Sequence, residues 1–158
     1  MKKQDRTLKQ RAVAYLARRE HSRAELARKL SAHGTQEEID SVLNSLQDAK
    51  LLSDQRFAAV FIKSRAERFG AGRLRQELRQ RGVEEGLVEQ ELKVDDLPSE
   101  IERARMVWKK KFDAQPLDAR EWAKQARFLQ GRGFGTDVIR RVLKEADESG
   151  EMRRDEVQ

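Results

Sequence analysis

A glycine that follows a leucine by four residues occurs three times in this chain, each time after a segment rich in leucine and long charged side chains. The three pairs are Leu30 with Gly34, Leu78 with Gly82, and Leu129 with Gly133. Glycine just after a helix supplies the left-handed residue that closes it, so each pair predicts a helix end. The pairs recur about every fifty residues, an interval typical of helical repeat proteins.

Two other positions recur with these glycines. A large aromatic residue precedes each glycine, and an aliphatic residue follows it by five positions; these residues are Tyr15, Phe61 and Trp108, then Ile39, Leu87 and Val138. Three helices in each repeat account for this order. We therefore predict repeats over residues 1–52, 53–97 and 98–148, followed by a flexible tail over 149–158. Pro98, which keeps the residue before it out of a helix, marks the clearest linker.

Helical periodicity runs through almost the whole chain, and no stretch shows the alternation of a strand. We predict nine helices, near residues 6–20, 23–32, 36–49, 54–68, 72–81, 84–92, 100–112, 118–130 and 136–147. Capping-box spacing starts three of them, at Ser22, Thr35 and Ser99, and Ser53 or Asp54 can cap the fourth helix. Charged residues make up 39% of the chain and hydrophobic residues 37%, which is too charged for one thick core. The predicted fold class is all-α, with three tandem three-helix repeats in an elongated, curved array.

Positive and negative charge alternate along the chain with the same period as the glycines. Net charge is +7 over residues 1–30, +6 over 56–82 and +7 over 101–144, whereas the segments between and after them carry −4, −6 and −4. The whole chain has a net charge of +6 and an isoelectric point near 9.8. A basic protein of this kind favours acidic partners, of which nucleic acid is the first candidate.

Several classes of function are excluded or disfavoured. The chain has no cysteine, which excludes disulfides, thiol chemistry and cysteine-based zinc sites. Its two histidines, His21 and His33, are best interpreted as polar residues at helix ends, and no P-loop or dinucleotide fingerprint is present. We therefore predict no catalytic residue, no metal site and no cofactor. No secretory signal or membrane-spanning run is visible, so the cytosol is the expected location.

The central basic segment supplies the first candidate site. Arg75 and Arg79 lie one helical turn apart with no acidic residue between them, whereas Glu77 can offset its neighbours Arg73 and Arg81. The preceding predicted helix, 54–68, adds the cations Lys63, Arg65 and Arg68. The loop Gly70–Gly72 would let the backbone approach a ligand closely. The complete set of predicted nucleic-acid or filament contacts is Arg75, Arg79, Arg73, Lys63, Arg65, Arg68, Lys109, Lys110, Arg127, Arg132 and Arg140. Phosphate contacts by such residues are nonspecific and depend strongly on salt.

Aromatic residues of the third repeat could serve either as core or as platforms for bases. Their helical spacing with Leu117, Leu129 and Val138 favours the core, and the residues concerned are Trp108, Trp122, Phe112, Phe128 and Phe134. A helix-turn-helix interpretation also competes, because helices 23–32 and 36–49 are separated by a short turn. The second of these helices is acidic and would be repelled by the phosphates of a major groove. Sequence-specific reading of duplex DNA is therefore disfavoured.

Five segments together resemble the RecX family, the bacterial regulators of the RecA recombinase, over roughly residues 8–147. The segments are His21–Leu30 (HSRAELARKL), Leu51–Ala58 (LLSDQRFA), Ser64–Ala66 (SRA), Arg73–Val83 (RLRQELRQRGV), and Arg132–Phe134 (RGF) followed by Val138–Leu143 (VIRRVL). The Arg73–Val83 motif is the most specific. Thr35 departs from the pattern, since an aliphatic residue normally follows the glycine there, and the third helix of the first repeat is expected to pack differently.

The resemblance implies a function as well as a fold. RecX-like proteins consist of tandem three-helix repeats, bind RecA and its filament on single-stranded DNA, and limit filament growth, ATP hydrolysis and strand exchange. They are not enzymes. The expected partners are thus RecA, its filament and DNA, with the protein acting as a monomer away from membranes. The alternative is a nonspecific DNA-binding protein that competes with RecA for DNA.

Overall fold

The computed structural model describes the backbone of residues 6–155 and the side chains of residues 6–145. Within these residues the fold contains nine α-helices and no strand, which confirms the predicted all-α class. The helices are α1 (Leu8–Arg18), α2 (Arg23–Leu30), α3 (Gln36–Asp48), α4 (Asp54–Arg65), α5 (Ala71–Gln80), α6 (Glu85–Leu92), α7 (Glu100–Lys111), α8 (Ala119–Gly131) and α9 (Thr136–Asp155). Apart from the end of α9, every bound lies within three residues of its prediction. None of the described helices combines the length and apolar character needed to cross a membrane.

The last helix is longer than predicted. We expected it to end near residue 147, but α9 continues to Asp155, so the first part of the predicted flexible tail is helical. Half of residues 148–155 are glutamate or arginine, which have good helix propensity, and Gly150 costs only about 1 kcal/mol relative to alanine in a helix. Residues 156–158 of the predicted tail lie outside the described residues.

The backbone groups into two compact units that are interleaved along the chain. Unit 1 consists of Met1–Phe61 and Glu77–Glu91, and unit 2 of Ile62–Gln76 and Leu92–Gln158. The exact repeat boundaries proposed from the sequence stay a prediction. Each unit has its own hydrophobic core, because amphipathic helices must bury their apolar faces against one another.

The core of unit 1 lies among α1, α2 and α3. Leu26 and Leu30 of α2 and Leu43 of α3 are completely buried there. Thr35 and Glu38 form the predicted reciprocal capping box at the start of α3. Ser22 caps α2 by accepting a hydrogen bond from the Glu25 backbone N–H, and the Glu25 side chain forms ion pairs with arginines instead of closing a box.

The segment Leu51–Ala58 comprises the end of the turn after α3 and the first residues of α4, and it supports its neighbours. Ser53 is the residue that caps α4, through the Arg56 backbone N–H at 3.1 Å. The Asp54 carboxylate instead accepts from the Arg23 backbone N–H of α2 at 2.7 Å, which satisfies an otherwise unpaired helix N-terminus. The Arg56 guanidinium donates to the carbonyl oxygens of Lys50 and Leu51. These contacts fix the turn between α3 and α4.

Two of the three predicted glycine stops are confirmed. Gly82 and Gly133 have φ of 76° and 90°, and the next residue of each donates back to Leu78 and Leu129 respectively, which is the Schellman pattern. The prediction for Gly34 is wrong, since its φ is not positive. The α2 helix ends in a right-handed Ser31 cap, so the turn that follows needs no left-handed residue.

The core of unit 2 lies among α7, α8 and α9. Trp108 and Phe134 are buried there as predicted, and Phe112 and Phe128 pack partly buried against them. The Trp108 indole N–H donates to the buried Gln125 side chain at 2.8 Å. Trp122 is a correction, since 39% of its surface is exposed. Trp122 lies on the same side of α8 as Gln125 and Leu129, but in the first turn of the helix, before the residues that α8 buries.

Candidate nucleic-acid interface

The loop between α4 and α5 is held in place by a buried arginine of α7. Arg103 is 4% exposed, and its guanidinium donates to the carbonyl oxygens of Ala66 at 3.0 Å, Phe69 at 2.9 Å and Pro98 at 3.2 Å. Burial lowers the pKa of Arg103 from its ordinary value, and the nearby Glu100 carboxylate opposes that shift. The guanidinium therefore satisfies the carbonyl oxygens of Ala66 and Phe69, just after α4, and fixes the loop there.

Arg103 was not among the residues predicted from the sequence. One signal was available, because Arg103 precedes Val107 by one helical turn and adjoins Ala104, both of which are buried. An arginine on the apolar face of a helix must find internal acceptors, since an unpaired buried charge is very costly.

Backbone hydrogen bonds tie the same loop to the turn between α8 and α9. The Gly70 N–H donates to the Arg132 carbonyl at 2.8 Å, and the Gly72 N–H donates to the Gly133 carbonyl at 3.1 Å. A Cβ on Gly70 would lie 2.5 Å from the Gly133 carbonyl group. We expected Gly70–Gly72 to let a ligand approach the backbone, and this was wrong at Gly70, where the absence of a side chain makes room for another turn of the protein.

Three predicted site residues meet around the ring of Phe69. The guanidinium carbon of Arg73 lies 4.0 Å from the ring centroid, that of Arg68 lies 5.6 Å away, and that of Arg132 lies 5.7 Å away. All three distances are within the range of cation–π attraction. The chain brings Arg132 to this position because its turn is paired with the Gly70 loop.

A second ring extends this group. Arg132 also lies over Phe128, at 5.3 Å from the centroid, and the Lys111 ammonium lies over the same ring at 5.8 Å. Phe112 packs edge-on against Phe128, with the centroids 5.4 Å apart. We call the four cations and two rings, Arg68, Arg73, Lys111, Arg132, Phe69 and Phe128, the Phe69 cluster.

Three of the four cations of the Phe69 cluster have no ion-pair partner among the described residues. Within residues 6–145, no carboxylate forms an ion pair with Arg68, Lys111 or Arg132. Arg73 has a further interaction within the protein besides its contact with the ring. Guanidinium groups held on aromatic faces keep N–H donors at their edges for an anion.

The other predicted site residues do not join this cluster. Arg75 is exposed on α5 and has an interaction partner within the protein, as does the half-buried Arg65. Arg127 donates to the Ala123 carbonyl of its own helix at 3.3 Å. The remaining five are exposed on their helices; they are Lys63, Arg79, Lys109, Lys110 and Arg140. Of the eleven predicted residues, Arg79 lies in unit 1 and the others in unit 2.

Unit 1 uses its arginines differently. Glu25 forms ion pairs with Arg19 at 2.9 Å and with Arg81 at 3.4 Å, and Arg81 also lies over the Phe61 ring at 4.7 Å. Arg28 donates to the Gln80 carbonyl at 3.3 Å. These cations join helices within unit 1.

A buried histidine completes this part of unit 1. His21 is 1% exposed, with Nδ1 at 3.0 Å from the Arg19 carbonyl and Nε2 at 2.8 Å from the Lys29 ammonium. Nδ1 can donate to the carbonyl while Nε2 accepts from Lys29 only if the ring is neutral. Burial, followed by the positive charges of Arg19 and Lys29, lowers the pKa of His21 from its ordinary value of 6.5, against raising contributions from the Arg19 carbonyl and Glu25.

The fold and the Phe69 cluster together define a class: all-α proteins made of three-helix domains, with arginines displayed on aromatic rings. Comparison with known families identifies the member of this class. Residues 9–46 match the first three-helix domain of RecX, residues 53–92 the second, and residues 99–143 the third. The chain belongs to the RecX family.

Individual relatives agree with this assignment. The chain is 51% identical over 143 residues to Regulatory protein RecX of Leptothrix cholodnii, covering 89% of this chain and 90% of the relative. It is 42% identical to Regulatory protein RecX of Ralstonia nicotianae, covering 92% and 91% of the two chains. The crystal structure of RecX from Lactobacillus salivarius superposes with a TM-score of 0.76 at 22% identity, covering 89% of this chain and 94% of that one. These relatives are named regulatory proteins, and the solved structure shares the fold.

Proposed function

We propose that this protein binds RecA and the RecA filament on single-stranded DNA, and that it limits filament growth, ATP hydrolysis and strand exchange. It acts in the cytoplasm as a monomer, through binding and not through catalysis. The observation that carries the proposal is the match of all three three-helix domains, in order, to RecX. A second support is the Phe69 cluster, in which Arg68, Lys111 and Arg132 form no ion pair with a carboxylate of the described residues.

The proposed contact surface comprises the basic residues identified in the sequence. They are Arg75, Arg79, Arg73, Lys63, Arg65, Arg68, Lys109, Lys110, Arg127, Arg132 and Arg140. Their partners would be DNA phosphates or acidic surfaces of the filament, since either would be attracted to a chain of net charge +6. Contacts of this kind are sequence-independent and weaken as salt is raised.

A nonspecific DNA-binding protein that displaces RecA by occupying DNA is the second candidate. The positive net charge favours it, as do Arg68, Lys111 and Arg132, which form no ion pair with a carboxylate of the described residues. The two candidates differ in stoichiometry, because a protein that acts on the filament needs few copies whereas one that competes for DNA must coat it.

The test adds the protein to preformed RecA filaments in amounts far too small to cover the DNA, while ATP hydrolysis is followed. We expect inhibition at these substoichiometric amounts. Inhibition that begins only at coating ratios would support the competitor instead, and unchanged hydrolysis at every ratio would reject both. The double variant Arg75→Glu, Arg79→Glu is expected to inhibit less while its helical circular dichroism is unchanged. Full inhibition by that variant would remove these two arginines from the contact surface.

A further inference from the structure

We infer that the Phe69 cluster is a preformed binding site for the phosphodiester backbone of nucleic acid, with Arg68, Arg73, Lys111 and Arg132 as its phosphate ligands. The inference rests on the proposed function for its setting and extends it by assigning a ligand class to named residues. The inference concerns binding by the isolated protein, so it can be tested in the absence of RecA.

The site is rigid before any ligand arrives. The loop that carries Phe69 is held at its carbonyl by Arg103, at 2.9 Å. The next residues are held by the Gly70 and Gly72 hydrogen bonds to the turn of Arg132 and Gly133. Between these two glycines, Ala71 donates its N–H to the Glu100 carboxylate at 3.3 Å. A preformed loop loses little conformational freedom on binding, which favours affinity.

The rings restrict the arginines further. A free arginine loses much side-chain entropy when it binds a phosphate, whereas a guanidinium already seated on a ring has lost part of that freedom in advance. The Arg73 guanidinium lies over Phe69 at 4.0 Å from the centroid, and Arg132 lies within reach of both rings. This seating distinguishes the cluster from exposed residues such as Lys109, for which no ring contact is described.

The geometry favours phosphate over base recognition. Single-stranded DNA is often bound by bases that stack on aromatic side chains. In this cluster Arg73 lies over Phe69, and Arg132 and Lys111 lie over Phe128, so cations occupy positions that a stacked base would need. Their guanidinium and ammonium groups are N–H donors, which bind phosphate oxygens without regard to base identity.

The spacing of the cations suits a chain of regularly placed charges. The longer two of the three guanidinium distances to the Phe69 centroid, 5.6 and 5.7 Å, limit any two guanidinium carbons to a separation equal to their sum, about 11 Å. One strand of B-form DNA carries a phosphate about every 3.4 Å along the helix axis, so cations held within this limit can contact neighbouring phosphates of one strand. An acidic protein surface offers carboxylates at this density less regularly, and we therefore favour the nucleic-acid backbone.

The experiment measures binding of the isolated full-length protein to labelled oligothymidylate, to an abasic strand of the same length and to a duplex, across a salt series. Arg68→Gln with Arg132→Gln is expected to weaken binding to all three by roughly tenfold or more at low salt. The slope of log affinity against log salt should decrease in magnitude by roughly 1.4 on the single strands, about 0.7 for each phosphate that is no longer neutralised. Arg120→Gln, at an exposed arginine of α8 outside the proposed surface, is the control for loss of a positive charge elsewhere and should change the slope little.

A second variant separates charge from seating. Phe69→Leu keeps the number of positive charges, so the dependence of affinity on salt should persist. Affinity itself should fall several-fold, because the ring no longer holds the guanidinium groups in position. Thermal unfolding of each variant shows whether the fold is retained.

Several results would overturn the site. They are an unchanged slope in the double arginine variant, an equal loss in Arg120→Gln, and loss of binding on the abasic strand alone, which would indicate stacked bases. Polyglutamate that competes as well as polyphosphate would point to an acidic protein partner. If these binding results hold while ATP hydrolysis by RecA is unaffected by the parent protein, the phosphate site stands and the proposed function fails.

Discussion

The two left-handed glycine turns of this protein have the same backbone geometry and different surroundings. In unit 1, the turn at Gly82 follows Arg81, whose guanidinium is paired with Glu25 and a ring. In unit 2, the turn at Gly133 follows Arg132, which lies between two rings with no paired carboxylate among the described residues. A sequence motif of arginine followed by glycine thus stabilises one unit and displays a cation in the other. The difference is the presence of Glu25, not the motif.

The largest expected effect tests the two turns directly. A Cβ on Gly133 would lie 2.4 Å from the Arg73 Cβ and 2.7 Å from its backbone nitrogen, whereas a Cβ on Gly82 would meet the Ala24 Cβ at 2.5 Å. Both positions also have positive φ, which is strained for alanine. We expect Gly133→Ala to lower the free energy of unfolding by about 4 kcal/mol and Gly82→Ala by about 2 kcal/mol. Chemical denaturation measures both, and equal losses would show that the backbone contact at Arg73 adds nothing.

The next effect concerns the arginine beneath the Phe69 loop. Arg103→Met leaves the carbonyls of Ala66 and Phe69 without their donor in a buried place, so we expect a loss of about 3 kcal/mol. Arg103→Lys should recover part of it, since one ammonium keeps the charge without the planar fork. Denaturation midpoints give the values, with the exposed Arg120→Met as the control. If Arg103→Met were as stable as that control, the loop would not depend on the arginine.

A smaller effect separates paired from displayed cations. Glu25→Gln removes the ion pairs with Arg19 and Arg81 and should cost about 1 kcal/mol, with the cost shrinking as salt screens the charges. Arg68→Gln in unit 2 should change stability by about 0.5 kcal/mol at most, because its partner is a ring and not a carboxylate. Unfolding at low and high salt checks both variants. A salt-sensitive loss in Arg68→Gln would contradict the contrast between the units.

The smallest effect is a pH dependence in unit 1. The pKa of His21 is lowered in the folded protein from 6.5, so below that value the unfolded chain binds more protons and stability falls. The contribution of His21 is therefore fully present above pH 6.5 and is lost as pH decreases from 6.5 through the lowered pKa. Thermal midpoints between pH 7.5 and 5 should fall less steeply in His21→Gln than in the parent protein. Identical pH profiles would show that His21 does not titrate differently on folding.

The sequence predicted the helices well because the information is local. Apolar periodicity and serine or threonine caps fix where a helix starts. Ser22, Thr35 and Ser99 all cap their helices, but only Thr35 forms the predicted reciprocal capping box. The prediction of a left-handed residue at Gly34 was wrong because glycine is also used where a side chain has little room. A Cβ on Gly34 would lie 3.1 Å from a Leu8 methyl group. A left-handed residue does occur after the next helix, α3, at Lys50 with φ of 60°, and local pattern alone would not select it.

The sequence predicted several cations of the candidate site, but not their grouping around Phe69. Arg68, Arg73 and Arg132 were named from their charge, but their meeting at Phe69 depends on hydrogen bonds between segments about sixty residues apart. Arg103 was missed because its partners are carbonyl oxygens, which every residue has. A sequence shows which residues are charged, whereas the hydrogen-bond acceptors that each charged group finds depend on how the helices pack.

The interleaving of the two units has a consequence for how the chain is made. Unit 1 includes Glu77–Glu91, and the Ser22 hydroxyl donates to the Arg81 carbonyl at 2.7 Å. During synthesis, unit 1 therefore cannot be completed until residue 91 has left the ribosome, by which time the first segment of unit 2 has also emerged. A cut at any single point before residue 92 leaves unit 1 incomplete or carries part of unit 2 with it. Neither unit can be transplanted as one continuous stretch of gene.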